Sequence, residues 1–191
     1  MTTRDEKEQL RCECKARRDA LSSDERSLMS SAITGLVLTL VRPYTTVMAY
    51  ASKEPEVRTM PLLCSLINQR KRLVLPIIQK EDRTLRLSYV PSPSCLTPST
   101  FGVPEPVLCE DPADAGSIDI AIVPLIGFDR HGSRIGYGAG YYDRFFSDHP
   151  DIPSIGVGFS VQECDSIPTE PFDHRLDCIV TEREIIHVKV H

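Results

Sequence analysis

Residues 118–125 read Ile-Asp-Ile-Ala-Ile-Val-Pro-Leu. This apolar run falls far short of the roughly 20 residues needed to cross a bilayer. It predicts a strand buried on both sides, the kind found in parallel sheets covered by helices on each face. Further strands are predicted over 46–50, 73–78, 85–90, 154–159 and 176–181, with a last edge strand over 184–190. Helices fall between them. A polar helix over 4–20 touches the core through Leu10, Cys14 and Leu21. Ser22 with Glu25 three residues on is a capping box. It opens a helix whose apolar stripe runs through Leu28, Ala32, Leu36 and Leu40, flanked by Met29, Ile33, Val37 and Val41, until Pro43 stops it. Thr59 is the expected cap of a helix reaching about Arg70, with Pro61 in its first turn. A short helix follows over 141–147. Strands alternating with helices predict an α/β fold: three α/β/α layers around a largely parallel central sheet. At 191 residues the whole of 1–191 reads as one domain.

One segment departs from this rhythm. Pro91, Pro93, Pro98, Pro104, Pro106 and Pro112 fall within 91–117, interleaved with Leu96, Phe101, Val103, Val107 and Leu108. The apolar residues predict an extended, ordered loop rather than a linker.

Charge and cysteine usage remove several function classes. Lys and Arg number 22 against 27 Asp and Glu, a formal charge of −5, which argues against a broad nucleic-acid surface. The first 19 residues are charged throughout and lack the apolar core of a signal peptide, so a cytoplasmic protein with no membrane partner is expected. The seven Cys are irregularly spaced and odd in number, unlike a disulfide framework. Cys12 and Cys14 sit two apart on a helix and point to different sides. The five His show no metal-ligand spacing, and none is assigned to catalysis. A monomer is the default at this size.

Five of the ten Gly lie between 127 and 140. The cluster follows the strongest strand and opens a helix, where an α/β sheet binds ligands and a helix N-terminus offers free N–H groups to an anion. Gly136-x-Gly138-x-Gly140 fits neither the dinucleotide fingerprint nor the Walker A loop. From spacing alone two readings stay open: a phosphate cradle, or a tight turn with left-handed residues. The first helix is similarly two-sided. Lys7, Arg11, Lys15 and Arg18 share one face, which is either a solvated face or a phosphate contact.

The string from Gly127 to Arg144, Gly-Phe-Asp-Arg-His-Gly-Ser-Arg-Ile-Gly-Tyr-Gly-Ala-Gly-Tyr-Tyr-Asp-Arg, resembles the signature of the 5-formyltetrahydrofolate cyclo-ligases, also called methenyltetrahydrofolate synthetases. Lys7-Glu-Gln-Leu-Arg11, Phe101-Gly-Val-Pro-Glu-Pro106, Phe159-Ser-Val-Gln162 and the spacing Ile167-Pro…Asp173…Asp177 resemble four more of the family's motifs, in order, over about residues 7–181. The resemblance implies a fold related to ribose-5-phosphate isomerase and CoA-transferase domains. It also implies conversion of 5-formyltetrahydrofolate, with or without a polyglutamate tail, to 5,10-methenyltetrahydrofolate, with ATP as co-substrate and Mg²⁺ as the metal. On that resemblance Lys7, Arg11, Arg134, Ile135, Gly136, Tyr137, Gly138, Ala139, Gly140, Tyr141 and Tyr142 hold ATP, and Arg134 is the catalytic cation. Ala51, Glu56, Tyr137, Gly138, Ala139, Gly140 and Tyr141 border the folate, with Tyr141 positioned to stack on the pterin. Asp143 and Asp173 take the metal, Asp177 is structural, and Gln162 is read as either a ligand-orienting or an exposed amide. Some family members carry Arg and Lys where this chain has Tyr137 and Ala139.

Overall fold

The computed structural model describes residues 2–107 and 110–188, so Leu108, Cys109, Val190 and His191 of the readings above lie outside it. Along the chain come α1 (Thr3–Asp19), α2 (Ser23–Leu40), β1 (Thr46–Met48), α3 (Met60–Asn68), β2 (Arg72–Gln79) and β3 (Thr84–Tyr89). Then follow β4 (Thr97–Pro98), β5 (Pro104–Glu105), β6 (Asp111–Pro112), β7 (Ile120–Pro124), β8 (Gly127–Phe128), β9 (Arg134–Ile135), α4 (Tyr141–Asp148), β10 (Ser154–Val157), β11 (Cys178–Val180) and β12 (Ile185–His187).

Among the described residues, eight strands form the main sheet in the order β12-β11-β10-β7-β1-β2-β3-β6. The five in the middle, from β11 to β2, run parallel; β12, β3 and β6 are antiparallel additions at the edges. Strand alternation sorts the core into two faces. Val47, Ile120, Ile122, Ile155 and Val180 meet Ile33 and Val37 of α2 and Leu62, Leu63 and Leu66 of α3. Met48, Ala121, Val123 and Ile179 face the other way, onto Phe145 and Phe146 of α4. The three α/β/α layers and the largely parallel sheet are as expected.

Several details differ. Leu28 does not join the core: it is 76% exposed, while Ser30, Ile33, Val37 and Val41 are buried. The inward face is set partly by Ser30, whose Oγ accepts the Arg58 amide at 2.9 Å. Leu28 lies about 200° around the helix from Ser30 and so points to solvent. We therefore expect Leu28→Gln to change unfolding free energy by less than about 0.5 kcal/mol in urea titration; a loss above about 1 kcal/mol would contradict this placement.

Thr59 does not cap α3 with its side chain. Its hydroxyl donates to Tyr50 O at 2.8 Å and accepts the Ser52 amide at 2.9 Å, tying the loop after β1 to the start of α3. α3 stops at Asn68, short of the expected Arg70, which takes φ 59°. The described residues of 91–117 are not loop alone: they contribute β6 to the sheet edge and the β4–β5 pair. β1 ends at Met48, two residues before the predicted end, and β12 spans Ile185–His187, with residues 189 and 190 of the prediction outside the described ones.

α1 belongs to neither helical layer. Leu10 and Cys14 pack on Ile126, Ile135, Cys164 and Ile167, just beyond the carboxyl end of β7. Its N-cap, Thr2 with Asp5 closing a capping box, went unread in the sequence. The contact is tight: a β-carbon on Gly127 would lie 2.8 Å from Cys14 Sγ. This docking brings the basic face of α1 to the β8–β9 hairpin.

Candidate active site

The β8–β9 hairpin is held from inside its turn. Asp129 is buried, and its Oδ1 accepts the amides of His131 and Ser133 at 2.9 and 3.0 Å. Its Oδ2 accepts the Ile167 amide at 3.0 Å. Gly132 adopts φ +86°, and a β-carbon there would meet Leu176 O at 2.6 Å, so only glycine fits. This turn delivers Arg134 to the wall of a cavity of about 870 Å³.

One end of the cavity is cationic. Arg11 Nε donates to Gly136 O at 2.9 Å, and its Nη1 pairs with Glu8. Gly138 has φ +93° and lies against the Arg11 guanidinium, where a β-carbon would sit 3.5 Å from Nη2. Gly140 has φ +71° and opens α4, aiming that helix's first amides toward the loop. Lys7 Nζ donates to Glu170 Oε2 at 3.1 Å and also pairs with Asp173. Arg134 pairs with Asp143 at 2.6 Å, its side chain only 5% exposed and its Nε without a hydrogen-bond partner. Its Cζ lies 5.8 Å from the Tyr142 ring centroid.

Toward the loop after β1 the wall changes character. Glu56 is buried; its Oε2 accepts the Lys53 amide at 2.9 Å, and its Oε1 accepts the Tyr137 hydroxyl. Burial, with the Glu56 charge second, pushes Tyr137 well above the ordinary phenol range, so it stays a donor. Lys53 Nζ sits 5.0 Å above its ring. Ala51 and Tyr141 line the same cavity.

The structure thus brings Lys7, Arg11, Ala51, Glu56, Arg134 to Asp143 and Asp173 around a single cavity. One sequence reading is corrected. Gln162 neither lines the cavity nor lies exposed. It is 1% exposed, donates to Leu125 O and Ile126 O at 3.2 and 2.7 Å, and accepts the Phe159 amide at 2.8 Å. Arg18 is 3% exposed, and its Nη1 lies 3.5 Å from the Tyr137 hydroxyl; it does not line the cavity. Asp177 accepts the amide and hydroxyl of Ser154 at 2.8 and 2.9 Å, a structural contact as read. His174 stacks on Phe146 at 3.9 Å; burial, then the Arg134 charge, pulls it down to about 4, so it is neutral near pH 7. Sequence reasoning missed Tyr50, Lys53, Phe101, Glu105, Glu170 and Phe172 as lining residues, since nothing marks the chemistry of a loop residue before the chain folds.

Among the described residues no group of three or more His, Cys, Asp or Glu is placed to hold a metal. Asp143 and Asp173 do offer oxygen donors on the wall of the cavity's cationic end. Mg²⁺ is commonly held by one or two carboxylates, water and the substrate's phosphates rather than by a protein cage. The two aspartates suit a cation shared with a phosphate.

The sequence profile of the 5-formyltetrahydrofolate cyclo-ligase family matches residues 3–182. The 5-formyltetrahydrofolate cyclo-ligase of Haemophilus influenzae is 29% identical over 175 residues, 87% of this chain and 92% of its own. The Escherichia coli K12 protein of that name is 30% identical over 176 residues, 88% and 96% of the two chains. Among solved structures, the 5,10-methenyltetrahydrofolate synthetase of Aquifex aeolicus matches with a TM-score of 0.84 at 29% identity, over 97% of this chain and 94% of that one.

Proposed function

The chain belongs to the 5-formyltetrahydrofolate cyclo-ligase family, and from that premise we propose that it is a ligase that uses ATP to close 5-formyltetrahydrofolate into 5,10-methenyltetrahydrofolate, releasing ADP and phosphate. The chemistry explains the need for ATP. A formamide oxygen is a poor leaving group. Transfer of the γ-phosphoryl group onto that oxygen turns it into a phosphate ester on an iminium carbon. N10 then attacks that carbon, the C–N bond forms, N10 gives up its proton to solvent, and phosphate leaves with the former formyl oxygen. The protein's work is positioning and charge stabilisation.

The observation that carries this reading is the Arg11–Gly136 contact across 125 residues of sequence. It sets the cations of α1 on the glycine loop, at one end of a cavity within the usual range for ligand sites. Lys7, Arg11 and the loop over 134–142 take the polyphosphate, and Arg134 faces the charge that develops during transfer. Ala51, Glu56 and residues 137–141 border the folate. Asp143 and Asp173 would hold Mg²⁺, which would supply neutralisation of phosphate charge. The pairs Lys7–Asp173 and Arg134–Asp143 suit an exchange in which each cation would turn to phosphate and each carboxylate to metal. That exchange avoids leaving a half-buried charge unpaired.

The continuous sheet with a core on both faces supports reading 1–191 as one domain. No helix among the described residues is long and apolar enough to cross a membrane. We read the protein as a cytoplasmic monomer acting on a small molecule, with no nucleic-acid partner. The test is direct: purified protein with 5-formyltetrahydrofolate and MgATP should develop methenyl absorbance, absent when either substrate is omitted. Folded protein giving no signal with both present would overturn the proposal.

A further inference from the structure

Two of the seven cysteines meet beneath α1, outside the cavity. Cys14 Sγ lies 3.3 Å from Cys164 Sγ, although 150 residues separate them in the chain. Gly127 makes the room: a β-carbon there would come within 2.8 Å of Cys14 Sγ and 3.6 Å of Cys164 Sγ. A guanidinium spans both sulfurs. Arg17 Nη2 donates to Cys14 Sγ at 3.1 Å and lies 3.8 Å from Cys164 Sγ, while its Nη1 donates to Glu163 O at 2.8 Å. Cys14 is fully buried and Cys164 is 7% exposed, but Arg17 is an exposed residue, so a surface side chain covers the pair on that side. Thiols that only fill space sit in apolar surroundings and are inert; a cation beside them makes a thiol reactive. The S–H of Cys164, then the Arg17 charge, pulls Cys14 down to about 7 against its burial. Cys164, whose S–H that thiolate engages, is pushed up and keeps its proton.

We infer that Cys14 and Cys164 form a redox-active dithiol, which a hydroperoxide converts to a disulfide that latches α1 to the β8–β9 hairpin. The Cys14 thiolate attacks one oxygen of hydrogen peroxide and the O–O bond breaks. This leaves a sulfenic acid and a hydroxide, which recovers from solvent the proton that Cys14 gave up. The Cys164 sulfur then attacks the Cys14 sulfur. The S–S bond forms, the S–O bond breaks, and the second hydroxide leaves as water with the Cys164 proton. Two thiols lose two electrons and two protons, and one peroxide becomes two waters. Arg17 faces both the thiolate and the departing hydroxide. The consequence lies in α1, which belongs to neither helical layer and docks through Leu10 and Cys14. Arg11 and Lys7 stand three and seven residues before Cys14, on the same face of the helix. Cys164 is tied to the hairpin, its amide donating to Phe128 O at 2.8 Å. A bond between the two sulfurs therefore fixes the helix bearing Lys7 and Arg11 to the hairpin that carries Arg134. The latch does not depend on which reaction the cavity performs.

The experiment treats reduced full-length protein with hydrogen peroxide near neutral pH, blocks the remaining thiols and maps the peptides by mass. The Cys14–Cys164 disulfide should be the main product, formed faster than any product at the exposed Cys12. Amide hydrogen exchange in α1 should slow by at least about tenfold. Because the bond closes a long loop, Tm should rise by roughly 5–15 °C. Dithiothreitol should reverse both changes. Arg17→Gln should slow disulfide formation by about 3–10-fold, since less Cys14 is then thiolate. Cys164→Ser should abolish the rise in Tm. The wild-type map needs no mutation, so it decides the matter even if a variant fails to fold. Oxidation of Cys12 with Cys14 and Cys164 left as thiols overturns the inference, as does a bond that forms only after denaturant is added. A Cys14–Cys164 bond that leaves α1 exchange and Tm unchanged overturns the latch.

Discussion

Arg134→Ala should lower kcat by about 10²–10³-fold, the loss typical of removing one preorganised donor to developing charge. The ATP dissociation constant should move by less than about fivefold, because Lys7, Arg11 and the loop amides still hold the ground-state phosphates. The side chain is only 5% exposed, which confines its movement to the cavity wall as it exchanges Asp143, now 2.6 Å away, for phosphate. Arg134→Lys keeps the charge but loses the planar fork, and should fall between the two. Steady-state kinetics with direct nucleotide titration separates the possibilities. If turnover at saturating ATP survives while affinity collapses, Arg134 serves ground-state binding, and the assignment is wrong.

Gln162→Leu should be the most damaging single change to stability among those considered. The side chain holds three backbone groups, Leu125 O, Ile126 O and the Phe159 amide, in a site that is 1% exposed. Leucine fills a similar volume and satisfies none of them. Each orphaned buried group costs about 1–3 kcal/mol, so a total of roughly 3–5 kcal/mol is expected after partial relaxation. For a chain of this size that is a fall of roughly 6–20 °C in Tm. The affected carbonyls lie where β7 leaves the sheet and the hairpin bearing Arg134 begins, so surviving folded protein should also lose activity. A loss below about 1 kcal/mol in urea titration would show that the three contacts carry little.

The parallel sheet was legible because buried strands announce themselves. Residues 120–125 and 73–78 are apolar without alternation, and the second run is preceded by a proline-started helix. The facing of a helix was less legible. The i+4 series through Leu28 is as regular as the buried one through Ile33 and Val37, and only the Ser30–Arg58 contact separates them. The site was visible in part. A glycine cluster after the strongest strand marks a close backbone approach, and the basic face of α1 marks charge, but periodicity cannot show that the two meet. Their meeting depends on Leu10 and Cys14 docking beyond the sheet's carboxyl edge; the family resemblance, not the residue pattern, linked them. Glu105 and Gln162 were quoted only as motif letters. A buried carboxylate and a buried amide look like surface residues in a sequence, since their role lies in which backbone groups come to them.

The central claim is that one cavity brings the γ-phosphoryl group to the formyl oxygen. It is tested most directly by following that oxygen. Single-turnover reaction of folate carrying heavy oxygen in the formyl group should place the label in the released phosphate, one atom per methenyl product formed. Label appearing in water, with unlabelled phosphate, would contradict phosphorylation of the formyl oxygen and the arrangement of the site built upon it.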